Sequence, residues 1–369
     1  MGTDRAVAVF GAYGHTGRFV VAELRARGLR PVLVGRDPDK LKALAYGGEP
    51  YGTGASGTTA CATAERASGA YATPPDIRTA SVHDPASIGR ALDGAAAVIN
   101  CAGPFATTAA PVIEAALRAG IPCLDVAAEI EANLDTFAHY AERAREAEAL
   151  IVPAMAFFGG LGDLLATAAM GDWTAADEVH VAYGLSSWHP TAGTRTAGAV
   201  SRERRGDGRR IRFTGGRLEH REDAPPTLEW RFPEPLGPRT VIGEFTMADV
   251  VTVPSHLVVP EVRTYMTAGA ARDLAAPETP APAAVDGRGR SDQTFLVDVV
   301  VRSGGAERRF VARGQDIYAV TAPLVVEAVE RVLTGRTRAV GVASAGEMFD
   351  APDFLRALSP HITVEQLSP

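Results

Sequence analysis

Val7-Ala-Val-Phe-Gly-Ala-Tyr-Gly-His-Thr-Gly17 is an apolar run that breaks into three glycines spaced three apart. A second apolar run, Pro31-Val-Leu-Val-Gly35, follows and ends in Arg36. An apolar strand feeding a glycine loop and then a helix lets backbone amides approach a pyrophosphate at the helix N-terminus. The residue after the second strand meets the adenosine ribose; an acid there favours a free 2′-hydroxyl, whereas an arginine accommodates a 2′-phosphate. The stretch therefore specifies a Rossmann unit and, with Arg36, NADP (as NADPH) over NAD. Its expected cofactor contacts are Gly11, Tyr13, Gly14, His15, Thr16, Gly17 and Arg36, with Lys40 facing the phosphate from outside.

Outward from this loop the pattern repeats. A helix is expected over Thr16–Arg27, with Phe19, Val20 and Leu24 on one face and Gly28 closing it. Asp37-Pro38 opens the next helix. Residues from about 46 to 75, rich in Gly, Ala, Thr and Ser, read as an insertion with a helix over Thr58–Ser68. Strand three, Ile77–Val82, leads to Asp84, placed either to meet the adenine or to cap the helix Pro85–Leu92. Strand four runs into Ala102-Gly103-Pro104-Phe105, where backbone at a strand's carboxyl end meets the ribose or nicotinamide. Helices over Ala110–Ala119 and Ile130–Ala147 alternate with strands Pro122–Val126 and Leu150–Ala154. This alternation is that of a doubly wound parallel sheet, with a domain over residues 1–155.

After residue 155 the period changes. Phe157-Phe-Gly-Gly-Leu-Gly-Asp163 is a glycine-rich turn into a helix, and five strand-like runs follow: 178–185, 211–213, 228–232, 295–302 and 307–312. They imply a second, α+β domain over residues 156–318 on a mostly antiparallel sheet. Ala268–Arg290 reads as a long exposed connection. A helix over Thr321–Leu333, apolar at Val325, Val329 and Val332, is expected to return segment 319–369 to the first domain.

Composition narrows the function. The chain has 369 residues, 46% hydrophobic and 22% charged, with a net charge of −7, which argues against nucleic acid or an anionic membrane as partner. No apolar run has membrane-span length, and the first strand begins too early for a signal peptide, so a cytoplasmic protein is expected. Cys61, Cys101 and Cys123 lack metal-ligand spacing, the histidines show no paired motif, and no Gly-x-Ser-x-Gly elbow is present. Lys40 and Lys42 are the only lysines, so no lysine elsewhere serves as acid or Schiff base.

The expected substrate side is the turn holding Phe158 and Asp163 together with Ser186-Ser-Trp-His-Pro-Thr-Ala-Gly-Thr-Arg195. His189 is the first candidate proton donor, by its ordinary pKa, and Tyr183 the second. Ser186, Thr194 and Arg195 are candidate substrate contacts; Arg195 either grips a carboxylate or pairs with a surface acid. Asp163 either caps its helix or meets substrate, and Asp125 and Glu129 either line the cleft or cap the following helix. The run Arg202–Arg212 reads as a solvated hairpin around Gly206-Asp-Gly208, with docking of an anionic carrier as the alternative.

Gly11–Gly17, Val34-Gly-Arg36, Val98-Ile-Asn-Cys-Ala-Gly-Pro-Phe105 and Cys123-Leu-Asp-Val-Ala-Ala-Glu129 together resemble the saccharopine dehydrogenase-like NADP oxidoreductases, which include trans-acting enoyl reductases. The resemblance continues through Thr191-Ala-Gly-Thr-Arg-Thr-Ala197 and Gly314-Gln-Asp-Ile-Tyr318. It implies reduction of a C=N, C=C or C=O bond of a small molecule, and a homodimer. Ala156-Phe-Phe-Gly-Gly-Leu-Gly-Asp163 departs from the enoyl reductase pattern, which carries an earlier acid, so an enoyl substrate is not carried over. A non-catalytic NADP sensor, or an amino-acid dehydrogenase or ketimine reductase, are the alternatives.

Overall fold

The computed structural model describes residues 5–46, 75–206 and 209–367; nearly all of the expected insertion, including Thr58–Ser68, lies outside them. The opening run is β1 (Ala6–Phe10), followed by α1 (His15–Ala26), β2 (Arg30–Gly35) and α2 (Pro38–Tyr46). Next come β3 (Asp76–Thr79), α3 (Pro85–Leu92), β4 (Ala97–Asn100) and α4 (Phe105–Ala119). β5 (Cys123–Asp125), α5 (Ile130–Glu146) and β6 (Leu150–Val152) complete the series. These strands are parallel in the order β6-β5-β4-β1-β2-β3, the doubly wound arrangement. β1 is buried along its whole length because both faces are covered. Val7 and Val9 join Phe19 and Leu24 of α1, whereas Ala6, Ala8 and Phe10 join Ile88 of α3 and Val112 of α4.

A buried turn at Phe157–Leu161 leads into α6 (Gly162–Met170) and the second sheet. Its elements are β7 (Glu178–Leu185), α7 (Ala192–Arg205), β8 (Arg210–Thr214), β9 (Arg217–Arg221), β10 (Thr227–Arg231) and β11 (Pro238–Gly243). α8 (Asp249–Thr252), β12 (Glu261–Thr267), α9 (Ala268–Ala275), β13 (Thr294–Ser303) and β14 (Ala306–Gln315) follow. The chain then forms α10 (Thr321–Leu333), β15 (Gly341–Val342), α11 (Ala345–Met348), α12 (Ala351–Ala357) and β16 (Thr363–Leu367). The second sheet has nine strands, antiparallel except where β12 runs parallel to β7. α6 packs its apolar surface beneath β13 and β14.

Three local expectations need correction. The arginine-rich run does not form a hairpin at Gly206: its first part closes α7, and the hairpin joins β8 to β9 through Gly215-Gly216, both at positive φ (57° and 74°). Ser186–Arg195 is only partly loop, because Thr191 caps α7 by accepting from the Thr194 amide. Ala268–Arg290 begins with a helix, α9. The C-terminal segment also divides. α10 packs on α1, held by Arg27 to Glu327 and Glu330 at 2.6 Å each, and β15 extends the first sheet beside β6. β16 instead pairs with β14 of the second sheet. No helix among the described residues is long and apolar enough to cross a membrane.

Candidate active site

A cleft of 1450 Å³ opens where the carboxyl ends of the parallel strands face α7 and the second sheet. Gly11, Tyr13, Gly14, His15, Thr16 and Arg36 line one part, and Ala102, Gly103, Pro104 and Phe105 line the next. Gly11 has φ +85°, and a Cβ there would stand 2.9 Å from the Ala102 amide nitrogen. A Cβ on Gly17 would stand 2.3 Å from the Gly11 carbonyl oxygen. The loop therefore lies against Cys101-Ala102 and starts α1 facing the cleft, with no acid in the first turn to oppose an anion. His15 Nε2 is buried without a partner among the described residues, and burial lowers the imidazole's pKa. Arg36 is exposed, lines the cleft and has no carboxylate partner among the described residues. An open glycine cradle, an orphaned nitrogen and an uncommitted guanidinium fit a phosphorylated dinucleotide, which brings hydride chemistry when bound.

Two of the expected cofactor contacts turn elsewhere. Asp84 caps α3 by accepting from the Ser87 amide at 3.2 Å and pairs with Arg90 at 3.5 Å; Ser81, Val82 and His83 line the cleft in its place. Lys40 pairs with Asp37 at 3.6 Å and lies 5.7 Å from the Tyr13 ring centre, outside the cleft lining.

On the substrate side Phe158, Thr194 and Arg195 line the cleft, as expected; His189, Tyr183, Asp163 and Ser186 do not. Tyr183 is fully buried, because Val179, Val181, Tyr183 and Leu185 share the core face of β7. Its hydroxyl donates to Asp249 at 2.9 Å. Burial holds the Tyr183 phenol well above its ordinary pKa and pushes the Asp249 carboxyl up to about 7. Asp163 is also fully buried; it meets His256 Nε2 at 2.7 Å and accepts from the Gly346 amide at 2.7 Å. It ties α6 to α11 and the segment after α8. Ser186 pairs with Thr294 at the start of β13. His189 takes part through its carbonyl, which accepts from the Tyr318 hydroxyl at 3.4 Å.

Glu129 lines the cleft, one of its two expected places; Tyr318 and Trp188, which residue type alone did not single out, line it too. The Tyr318 hydroxyl accepts from Trp188 Nε1 at 3.2 Å and from the Thr191 amide at 3.3 Å, and lies 3.0 Å from Thr194 Oγ1. Asp316, at φ +59°, accepts from the Tyr318 and Ala319 amides and so aims the ring. Glu129 accepts from the Phe105 and Ala106 amides at 3.1 and 3.0 Å, capping α4 from the segment after β5. Burial raises its pKa to about 7 against the lowering effect of those two amides, with the Asp125 and Glu131 charges adding to the rise. Asp125 lies deeper, joining β5 to β6 through the Ala127 and Ala154 amides at 2.9 Å each.

Residues 7–152 match the family model described as saccharopine dehydrogenase NADP binding domain. The chain is 31% identical over 160 residues to a probable mitochondrial saccharopine dehydrogenase-like oxidoreductase of Arabidopsis thaliana, covering 41% of this chain and 31% of that protein. Against a saccharopine dehydrogenase-like oxidoreductase of Bos taurus it is 27% identical over 164 residues, 41% of this chain and 34% of the relative. These matches span about a third of the relatives' length. The apo histidine-tagged saccharopine dehydrogenase (L-Glu forming) of Saccharomyces cerevisiae superposes with a TM-score of 0.63 at 11% identity, over 99% of this chain and 100% of that one. That likeness establishes the two-sheet fold. Residues 7–152 are thus similar to a saccharopine dehydrogenase NADP binding domain, and the chain as a whole shares the fold of the yeast enzyme.

Proposed function

We propose that the chain is an NADPH-dependent reductase acting on a C=N, C=C or C=O bond of a small organic molecule. The observation that carries this reading is the continuity of the cleft. It runs from the glycine loop past Gly103 to a wall of Phe158, Trp188, Phe245 and Met247, and its 1450 Å³ exceed the roughly 300–1,000 Å³ of a single-ligand pocket. A cofactor and a second molecule can share it.

In this reading Arg36 binds the 2′-phosphate, and the first turn of α1 holds the pyrophosphate. Gly103-Pro104-Phe105 and the turn at Phe158 position the reacting face. We assign proton exchange to Glu129: it lines the cleft at the end of β5, beside Phe105, and its carboxyl holds or releases a proton near neutral pH. Tyr318, Thr194 and Trp188 fix the start of α7 over the cofactor. A cytoplasmic homodimer completes the proposal.

The test is NADPH consumption against a panel of imines, enones and ketones, with NADPH binding measured separately. Turnover of one class, lost in Glu129→Gln with NADPH affinity retained, supports the assignment. Tight NADPH binding with no consumption across the panel replaces the reductase with an NADP-sensing regulator.

A further inference from the structure

Six arginines line the cleft, Arg36, Arg195, Arg202, Arg205, Arg209 and Arg210, against two carboxylates, Glu129 and Glu244. Most are already committed. Arg205 pairs with Glu131 at 3.0 Å, Arg209 with Glu222 at 2.9 Å, and Arg210 with Glu244 at 2.5 Å. Arg36 stands at the ribose position after β2. Arg195, at the start of α7, donates Nη2 to the carbonyl oxygens of Ala276 and Thr279 at 3.1 and 2.8 Å. Its neighbour Thr194 touches Tyr318, which packs on His15 of the glycine loop, so Arg195 belongs to the cofactor end.

Arg202 has neither a carboxylate nor a carbonyl partner among the described residues. Its Nη1 lies 3.5 Å from where a Cβ on Gly198 would stand, so the head group reaches back over the preceding turn of α7. The adjacent Ala197 has its Cβ 3.9 Å from the corresponding point on Gly103. The guanidinium therefore lies beside Gly198, one residue on from the Ala197 contact with Gly103, and Arg202 and Gly103 line the same cleft. The facing wall is aromatic: Phe158 and Trp188 have ring centres 5.0 Å apart, and Trp188 and Phe245 6.4 Å.

We propose that the substrate carries a single carboxylate, bound by Arg202, on an apolar body of aromatic size that lies against Phe158, Trp188 and Phe245. This rests on the cleft being the substrate site of the reductase reading above. A molecule with several carboxylates would bring charges that no second uncommitted guanidinium among the described residues answers at this end of the cleft, and an unpaired buried charge is costly. A phosphate monoester, at about −1.5 to −2, would exceed the one positive charge on offer.

The experiment is calorimetric titration of the NADP-loaded full chain with phenylpropanoate, the neutral phenylpropanol and the dicarboxylate glutarate. Phenylpropanoate is expected to bind about ten- to hundredfold more tightly than phenylpropanol, the usual worth of a charge-assisted hydrogen bond. Arg202→Gln should erase that ratio while leaving phenylpropanol affinity unchanged, which also shows that the variant is folded. Phe245→Ala should weaken both aryl ligands. Tighter binding of glutarate than of phenylpropanoate, a ratio unchanged in Arg202→Gln, a ratio lost in Arg195→Gln instead, or no binding of either aryl ligand overturns the inference. NADPH consumption separates the two proposals. A protein that consumes NADPH without this selectivity keeps the reductase reading alone; one that shows the selectivity without consuming NADPH keeps the pocket alone.

Discussion

The imidazole of His15 meets the phenol ring of Tyr318 edge-on, with centroids 5.2 Å apart and planes at 85°. One ring belongs to the glycine loop and the other to the segment that closes the second sheet, so cofactor binding and the placement of α7 share one contact. Tyr318→Phe keeps that contact and should leave NADPH affinity within about twofold, because only the hydroxyl's hydrogen bonds with Trp188, His189, Thr191 and Thr194 are lost. Tyr318→Ala removes the ring and should weaken NADPH binding about three- to tenfold, the worth of an edge-on aromatic pair. Fluorescence titration with NADPH reads both; unchanged binding in the alanine variant would sink the coupling.

In the proposed function Arg36 carries the choice of cofactor. With no carboxylate among the described residues to release before it meets a phosphate, its contribution should appear in full. Arg36→Ala is expected to weaken NADPH binding about ten- to hundredfold and to leave NADH binding unchanged. Equal losses for both cofactors would mean that Arg36 acts on the loop and not on the 2′-phosphate.

The cofactor half was legible because its determinants are local: Gly11 and Gly17 are required by backbone approach within one turn. The substrate half was legible only in part: Phe158, Thr194 and Arg195 line the cleft, but the remaining determinants are contacts between distant segments. Asp163 finds its partners at His256 and Gly346, and nothing near Asp163 in the sequence points to either. Tyr183 was readable in principle: it shares the period-two face of β7 with Val179, Val181 and Leu185, which places it in the core. Its chemical type drew it toward catalysis; its spacing did not. His189 stands beside Trp188, whose indole does reach the cleft.

Tyr183→Phe tests that placement. The variant leaves the buried Asp249 carboxyl without its closest side-chain donor, and unfolding free energy should fall by about 1–3 kcal/mol. NADPH affinity of the folded fraction should not change, since Tyr183 does not line the cleft. A variant of wild-type stability with lost turnover would return Tyr183 to the active site.

Glu129 gives a pH signature with a definite sign. Burial raises its pKa from the ordinary 4.5 to about 7 in the folded protein, so folding favours the protonated form. The associated stability is fully present below pH 4.5 and is lost as pH rises through about 7. Glu129→Gln abolishes this titration while keeping one oxygen to accept from the α4 amides. The stability of wild type relative to Glu129→Gln should therefore decline by roughly 3 kcal/mol across that interval, read by denaturant unfolding at a series of pH values. A difference that stays flat with pH would mean that Glu129 is ionised throughout and serves only to cap α4, and the proton would have to come from another group.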